Sequence, residues 1–367
     1  MGMVTLLLSA LLQGSTMQPA ASHQPPSSRQ IDRAEQYFAQ TGGQAFLVMY
    51  RGRVLREAYR DGGAADRRQM LASGSKSFVG VATIAAVQEG LLRLDAPVAQ
   101  YVPEWRSDPR KARVTLRQLL SLESGIQTGN PGTGCGGRGA TWADALKAPA
   151  EAEPGTVFRY GPFPFISAGA VIEQVQRASF EQFLQQRVLD RLGVQVEWRA
   201  KCGDGNPQLA GGAAMTARDW ATFGEMIRRG GEHNGVRILD GQLVRELFRP
   251  AESNPNYGLS WWLVGAALQR MPTRGPDQNA AGSGRPRLRD RLGRGSRGRI
   301  GSREIPTTNG EQGLPGWMPS DLVMAAGAGD QRLYVIPSHE LVVVRMGPLL
   351  RRGGFDDRAF LEALLAP

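Results

Sequence analysis

Apolar positions along this chain recur with a helical period in its middle and with a strand period near its two ends. Ile31, Ala34, Tyr37 and Phe38 fall at helical spacing within residues 30–41. Two β-rich runs, 45–50 and 54–59, flank Arg51-Gly52-Arg53 and read as a hairpin. A glycine-containing polar loop leads to Ser73, and the apolar run 79–87 predicts a helix that ends near Gly90. Residues 114–122 suit a helix capped by Thr115 and stopped by Ser124-Gly125. Further helices are expected from Trp142, over 166–176, over 180–192, from the Thr216 cap to Arg229, and over 240–248. Asn234-Gly235 is a hairpin turn. From Tyr257 the pattern changes to strands at 258–264, 321–326, 332–336 and 341–345, and a helix over 356–365 follows. There is no internal repeat.

This order predicts an α+β fold. An antiparallel sheet would be built from the N- and C-terminal segments, 31–72 and 251–367, and flanked by helices. A helical subdomain, 73–250, would be inserted between them. The Ser73 helix would start where the two parts meet, a usual place for a cleft.

The 367 residues are enough for one large domain with a sizeable core. Residues 1–21 open on a short apolar run and reach small residues near Ala21, which reads as a secretory signal followed by a 22–30 linker. The lack of a positive charge before the run leaves a misassigned start or a disordered tail as the other reading. A signal implies a periplasmic or secreted protein. Cys135 and Cys202 both sit in glycine-rich loops, and in an exported chain they would form one disulfide; the alternative is two free thiols.

The net charge of +10 is concentrated in one place. Residues 271–303 hold nine arginines against two aspartates and no periodic apolar residues, and the surrounding segment 271–318 reads as a disordered basic insertion. Two readings fit it: a solvated loop, or a surface for anionic cell-envelope polymers. With the charge confined there, no nucleic-acid partner is expected.

Candidate chemistry centres on Ser73-Gly74-Ser75-Lys76. Three residues apart on a helical turn, the Lys76 amine can reach the Ser73 hydroxyl. Ser73 would be the nucleophile and a desolvated Lys76 its base, with the positive field of the helix start where negative charge develops. The competing reading makes Ser73 an ordinary N-cap. Composition bears on the choice, because the chain has four lysines among 44 basic residues, and a lysine inside an apolar helix supplies an amine that can deprotonate, as arginine cannot. Tyr160 ends a turn and extended stretch, 154–160, from which its phenol could join the same proton network; alone, it reads as a half-buried tyrosine. Gly327, Gly329 and Gln331 lie at a strand margin where small residues let a substrate approach the backbone, unless the glycines simply serve a tight hairpin. His23, His233 and His339 fall in a tail, a turn and a loop, so a Ser-His-Asp triad is disfavoured. Trp261-Trp262 reads as sheet core rather than a substrate platform. No Cys/His cluster has metal spacing, and no cofactor is expected.

Five segments, 73–78, 119–125, 154–160, 211–219 and 327–337, together resemble the penicillin-recognising serine hydrolases in order and spacing. The likeness is to the branch holding class C β-lactamases, family VIII carboxylesterases and 6-aminohexanoate-dimer hydrolases, and it spans residues 40–265 and 319–350. It implies a β-lactamase-like fold and a Ser73 nucleophile, with Lys76 as base and Tyr160 as second proton-transfer residue. It also implies an oxyanion hole made by the backbone N–H groups of Ser73 and Ala328. The chemistry implied is acyl transfer through an acyl-enzyme without a metal.

Two departures qualify the likeness. The second motif of that family usually reads Tyr-x-Asn, whereas this chain has Tyr160-Gly161-Pro162 and no side-chain amide for a substrate. The third often begins with Lys or His before Thr-Gly, whereas this chain has Ala325-Ala326-Gly327 and no cation for a substrate carboxylate. Both count against efficient β-lactamase or peptidase activity. The expected substrate is a small ester or linear amide. The alternatives are weak β-lactamase or D-alanyl carboxypeptidase activity on a lactam or peptide, or a catalytically inactive cell-wall-binding protein.

Overall fold

The computed structural model describes residues 24–130, 135, 137, 139–263, 315–349 and 354–367. The signal-like residues 1–21 and the arginine-rich segment 271–303 lie outside them. Strands β1 (Ala45–Tyr50), β2 (Arg53–Tyr59), β8 (Trp262–Leu263), β9 (Val323–Gly327), β10 (Gln331–Ile336) and β11 (Leu341–Met346) form one antiparallel sheet in the order β2-β1-β11-β10-β9-β8. Strands from the two chain ends therefore pair directly, Ala45 opposite Met346 through Tyr50 opposite Leu341. This is the α+β arrangement expected from the order of elements.

The sheet is covered on both faces, which explains why β1 and β11 are apolar at nearly every position instead of alternating. Leu47, Leu333, Val335, Val342 and Val344 face the main core. Phe46, Val48, Tyr334, Ile336 and Val343 face a second core under the helices Ser28–Gln40 and Asp357–Leu365. The period of two along a strand assigns each residue to its layer. Arg332 and Arg345 alternate onto that second face, where Arg345 is buried.

On the main face lie the helices Lys76–Gln88 and Ala217–Arg228. The first is buried on all sides from Lys76 to Ala86, so it runs through the middle of the molecule. Thr216 caps the second by accepting from the Asp219 N–H. The helix Phe163–Gln176 packs beside the Lys76 helix. The expected helix over 180–192 contains a π turn, Gln185–Leu189, between Phe180–Leu184 and Asp190–Leu192.

The sequence pattern did not predict a three-stranded sheet of β3 (Gln69–Met70), β4 (Glu197–Trp198) and β5 (Ala213–Met215). Elements of two or three residues carry no readable period. This small sheet matters because β3 runs straight into the turn that holds Ser73. The hairpin at Asn234-Gly235 forms between β6 (Glu232–His233) and β7 (Val236–Arg237).

Cys135 and Cys202 are joined as a disulfide across a sequence separation of 67. Closing a loop of that length removes denatured-state freedom worth about 4 kcal/mol in the chain-entropy view. Reduced and alkylated protein is expected to melt roughly 5 °C or more below the oxidised form. Equal melting temperatures, or an intact mass that does not rise on reduction, would refute the bridge.

Candidate active site

A 3₁₀ turn, Ala72–Ser75, carries Ser73, and the α-helix begins at Lys76. The preceding residue, Ala72, has φ 46°, the left-handed region that an L-residue enters only when its surroundings hold it there. Two contacts hold it. The Leu71 N–H donates to Ala213 O (2.8 Å), tying the turn to β5. Behind the turn, the end of β9 presses close: a Cβ on Gly327 would lie 2.0 Å from Leu71 O and 3.1 Å from the Gly74 nitrogen. Only glycine fits there. The Ser73 turn by itself thus requires a glycine at position 327.

Ser73 is half-buried and does not act as a helix cap; the residue at the cap position is Ser75, whose hydroxyl donates to Ala72 O (2.7 Å). Lys76 is 4% exposed. Its Nζ donates to Ser73 Oγ (3.0 Å) and to Ala210 O (2.8 Å). The amine also lies 4.7 Å from the centre of the Tyr160 ring and 5.6 Å from that of Phe165. Burial with no carboxylate partner lowers its pKa to about 7.

Tyr160 completes the group. Burial pushes its pKa up to about 12; a hydrogen bond with Ser73 and the charge of Arg332 pull the other way. Its ring stacks on Trp262 at 5.8 Å and meets the edge of Tyr257 at 6.3 Å. Trp262 is thus more than sheet core: it is half-buried and walls the tyrosine, while Trp261 is fully buried. Pro162 begins the Phe163–Gln176 helix, a position that suits a residue without an N–H. Gly161 lies against Thr128, where a Cβ would be 2.4 Å from Thr128 Cβ.

The remaining candidates are placed differently. Ala328 is exposed at the tip of the β9–β10 hairpin, one residue beyond the close approach at Gly327. Gln331 is not a substrate contact: it is fully buried, and its Nε2 donates to Gly329 O (3.1 Å) and Gly347 O (2.5 Å). The strand pleat that buries Leu333 and Val335 turns Gln331 inward with them. Gly329 faces Pro348 and Leu349, since a Cβ there would lie 2.7 Å from Leu349 Cα. His233 and His339 stand apart from this group, bonded to Asn234 and Ser338 respectively. Among the described residues no cluster of His, Cys, Asp or Glu could hold a metal, and no helix is long and apolar enough to cross a membrane.

Chemically, the arrangement offers a hydroxyl hydrogen-bonded to an amine that is largely neutral above pH 7, beside a phenol that stays protonated. Groups of these kinds within one network could supply a nucleophile, a base and a proton donor. Sequence reasoning missed Ala210 and Arg332 and took Trp262 for sheet core; each is brought in by long-range packing.

The low pKa of Lys76 also bears on stability. In the unfolded chain the amine titrates at its ordinary 10.5, and in the folded protein at about 7. The unfolded state therefore binds more protons between these values. The cost of burying Lys76 is full below pH 7 and fades as pH rises toward 10.5. Lys76→Met is expected to melt higher than the parent at pH 6, by roughly 5 °C, with the gap shrinking by pH 10. A gap that does not change with pH would contradict the neutral-amine reading.

The Beta-lactamase family profile matches residues 31–359. The chain is 26% identical over 272 residues to the 6-aminohexanoate-dimer hydrolase of Paenarthrobacter ureafaciens, a match covering 63% of this chain and 67% of that protein. It is 26% identical over 201 residues to the lovastatin esterase of Penicillium rubens, covering 42% of this chain and 49% of that one, about half its length. Among solved structures, a family VIII carboxylesterase superposes with a TM-score of 0.62 at 18% identity, over 93% of this chain and 98% of that chain.

Proposed function

The chain belongs to the beta-lactamase family, and from that premise we propose that it is a serine hydrolase of small carboxylic esters or linear amides, working through an acyl-enzyme on Ser73. The observation that carries the proposal is the buried, carboxylate-free Lys76 amine 3.0 Å from Ser73 Oγ. Relatives named as an esterase and a dimer hydrolase support the choice of bond.

In the reaction, neutral Lys76 takes the Ser73 proton as Oγ bonds to the substrate carbonyl carbon. The Ser73 and Ala328 N–H groups receive the oxyanion. Collapse breaks the C–O or C–N bond, Tyr160 gives its proton to the leaving oxygen or nitrogen, and Lys76 returns a proton to the phenolate. Water then attacks the acyl-enzyme by the same steps in reverse, releasing the acid and restoring Ser73. Uncharged acyl groups are favoured, because Ala325 and Ala326 stand where a cation would anchor a carboxylate and Pro162 stands where an amide would bind. Export to an oxidising compartment is part of the proposal, and the Cys135–Cys202 bridge fits it.

A fluorophosphonate probe is expected to label the purified protein on Ser73 alone, with labelling lost in Ser73→Ala and Lys76→Ala. Ser73→Ala should remain folded yet lose ester turnover by about a thousandfold or more. Short-chain p-nitrophenyl esters should be cleaved much faster than nitrocefin. Absence of an adduct in folded protein, or turnover retained by Ser73→Ala, would overturn the assignment.

The pH profile gives a second check. Lys76 must be neutral to accept a proton, so kcat/KM is expected to rise through about pH 7 and level off above it. Any fall from loss of the Tyr160 proton would come only toward about pH 12. A rate that is flat between pH 5 and 9 would exclude Lys76 as the base.

A further inference from the structure

The β9–β10 hairpin is held from behind by buried donors that the chemistry above does not use. Arg332 Nη1 donates to Gly327 O (3.0 Å) and to Gln331 O (3.0 Å). Gln331 Nε2 donates to Gly329 O (3.1 Å), and Arg345 Nη1 donates to Asp330 O (2.9 Å). Carbonyls 327, 329 and 330 are thus each held by a side chain rooted in the sheet. Arg332 is itself fixed: its Nε and Nη2 grip the Asp357 carboxylate at 2.7 and 3.1 Å, and the Tyr334 hydroxyl donates to the same carboxylate. The Phe355 ring lies 5.7 Å from the Arg332 guanidinium and 4.2 Å from that of Arg345.

We propose that Arg332, locked by Asp357, is a positioning residue that aims the Ala328 N–H at the oxyanion beside Ser73. A peptide unit is planar and trans, so its N–H points opposite its C=O. The Gly327 carbonyl and the Ala328 N–H belong to one peptide, and Arg332 holds the carbonyl end on the side of the C-terminal helix. The N–H end then faces away from Arg332, and the residue that carries the carbonyl, Gly327, is the one packed against the Ser73 turn. The bond is charge-assisted, so it also polarises the amide and makes its N–H a stronger donor. A bidentate guanidinium is needed for this, because it must hold Asp357 with one edge and carbonyls with the other; an ammonium cannot do both.

The inference rests on the hydrolase reading above, and its test separates the two. The variants are Arg332→Met, Arg332→Lys and the isosteric Asp357→Asn, each checked for folding by circular dichroism and melting. Three quantities are measured: kcat and KM on a p-nitrophenyl ester, inhibition by a boronic acid that mimics the tetrahedral state, and the infrared carbonyl stretch of the acyl-enzyme. Arg332→Met is expected to lose about tenfold to a hundredfold in kcat with KM little changed. Boronate affinity should fall by a similar factor, and the acyl carbonyl stretch should move to higher wavenumber as the hole weakens. Arg332→Lys and Asp357→Asn should shift all three in the same direction by less. A purely structural role would lower melting temperature and leave the stretch unmoved. Folded variants with parental kcat and an unshifted stretch would overturn the inference alone. A parental protein that forms no Ser73 adduct would overturn both this inference and the reading beneath it. Should Arg332→Met fail to fold, Asp357→Asn decides the question by the same three quantities.

Discussion

A desolvated amine held 3.0 Å from a hydroxyl is the constraint on which the rest of the cleft depends. A lysine in water is an ammonium and cannot take a proton at neutral pH. To make it a base the fold must exclude water around Nζ and must also withhold a carboxylate, which would restore the charge. Lys76 meets both conditions. Its neighbours are a hydroxyl, a backbone carbonyl and two aromatic faces, and the helix that carries it is buried on every side through Ala86. The burial of the helix and the low pKa are therefore one fact seen at two scales.

The double-sided sheet provides what the amine cannot, a rigid wall opposite it. Because β9, β10 and β11 are covered by helices on both faces, their end at the cleft is set by packing against two cores. Gly327 brings that wall against the Ser73 turn, and the strained φ of Ala72 persists because β3, β5 and β9 converge on it. The largely buried Arg332–Asp357 pair belongs to the same logic. Burial works against both charges, and each is offset by the other, so that Arg332 is held above and Asp357 below its ordinary pKa. Such a pair is weak evidence for stability, since breaking it costs more than having it gains. Its value lies in fixing direction, which is what a hydrogen-bond donor aimed at a transition state requires.

What the sequence made legible was local. Ser73 and Lys76 are three residues apart on one turn, and caps such as Thr115 and Thr216 declare themselves beside the helices they start. The α+β order followed from where the strand-like runs lay. What stayed hidden was assembled across the chain. Ala210 reaches Lys76 from 134 positions away, and Trp262 meets Tyr160 only because β8 is the edge strand next to β9. Gln331 is instructive, because its signal was present: the period of two from Leu333 puts it on the core face. A reading that stressed its closeness to the glycines overlooked the pleat.

The two departures from the resembled motifs now have structural consequences that point one way. Pro162 initiates the helix Phe163–Gln176, so its place in the chain is taken by a backbone requirement and no side-chain amide faces a substrate from it. Ala325 is buried in the main core, and the nearby cation on β10, Arg332, is already committed to Asp357 and to the Gly327 carbonyl. A substrate carboxylate would enter a cleft with Lys76 largely uncharged and Arg332 engaged, and would lose its hydration with little in return. A neutral acyl group carries no such cost. Selectivity in this cleft would then come from the expense of dehydrating the wrong substrate more than from any contact reserved for the right one.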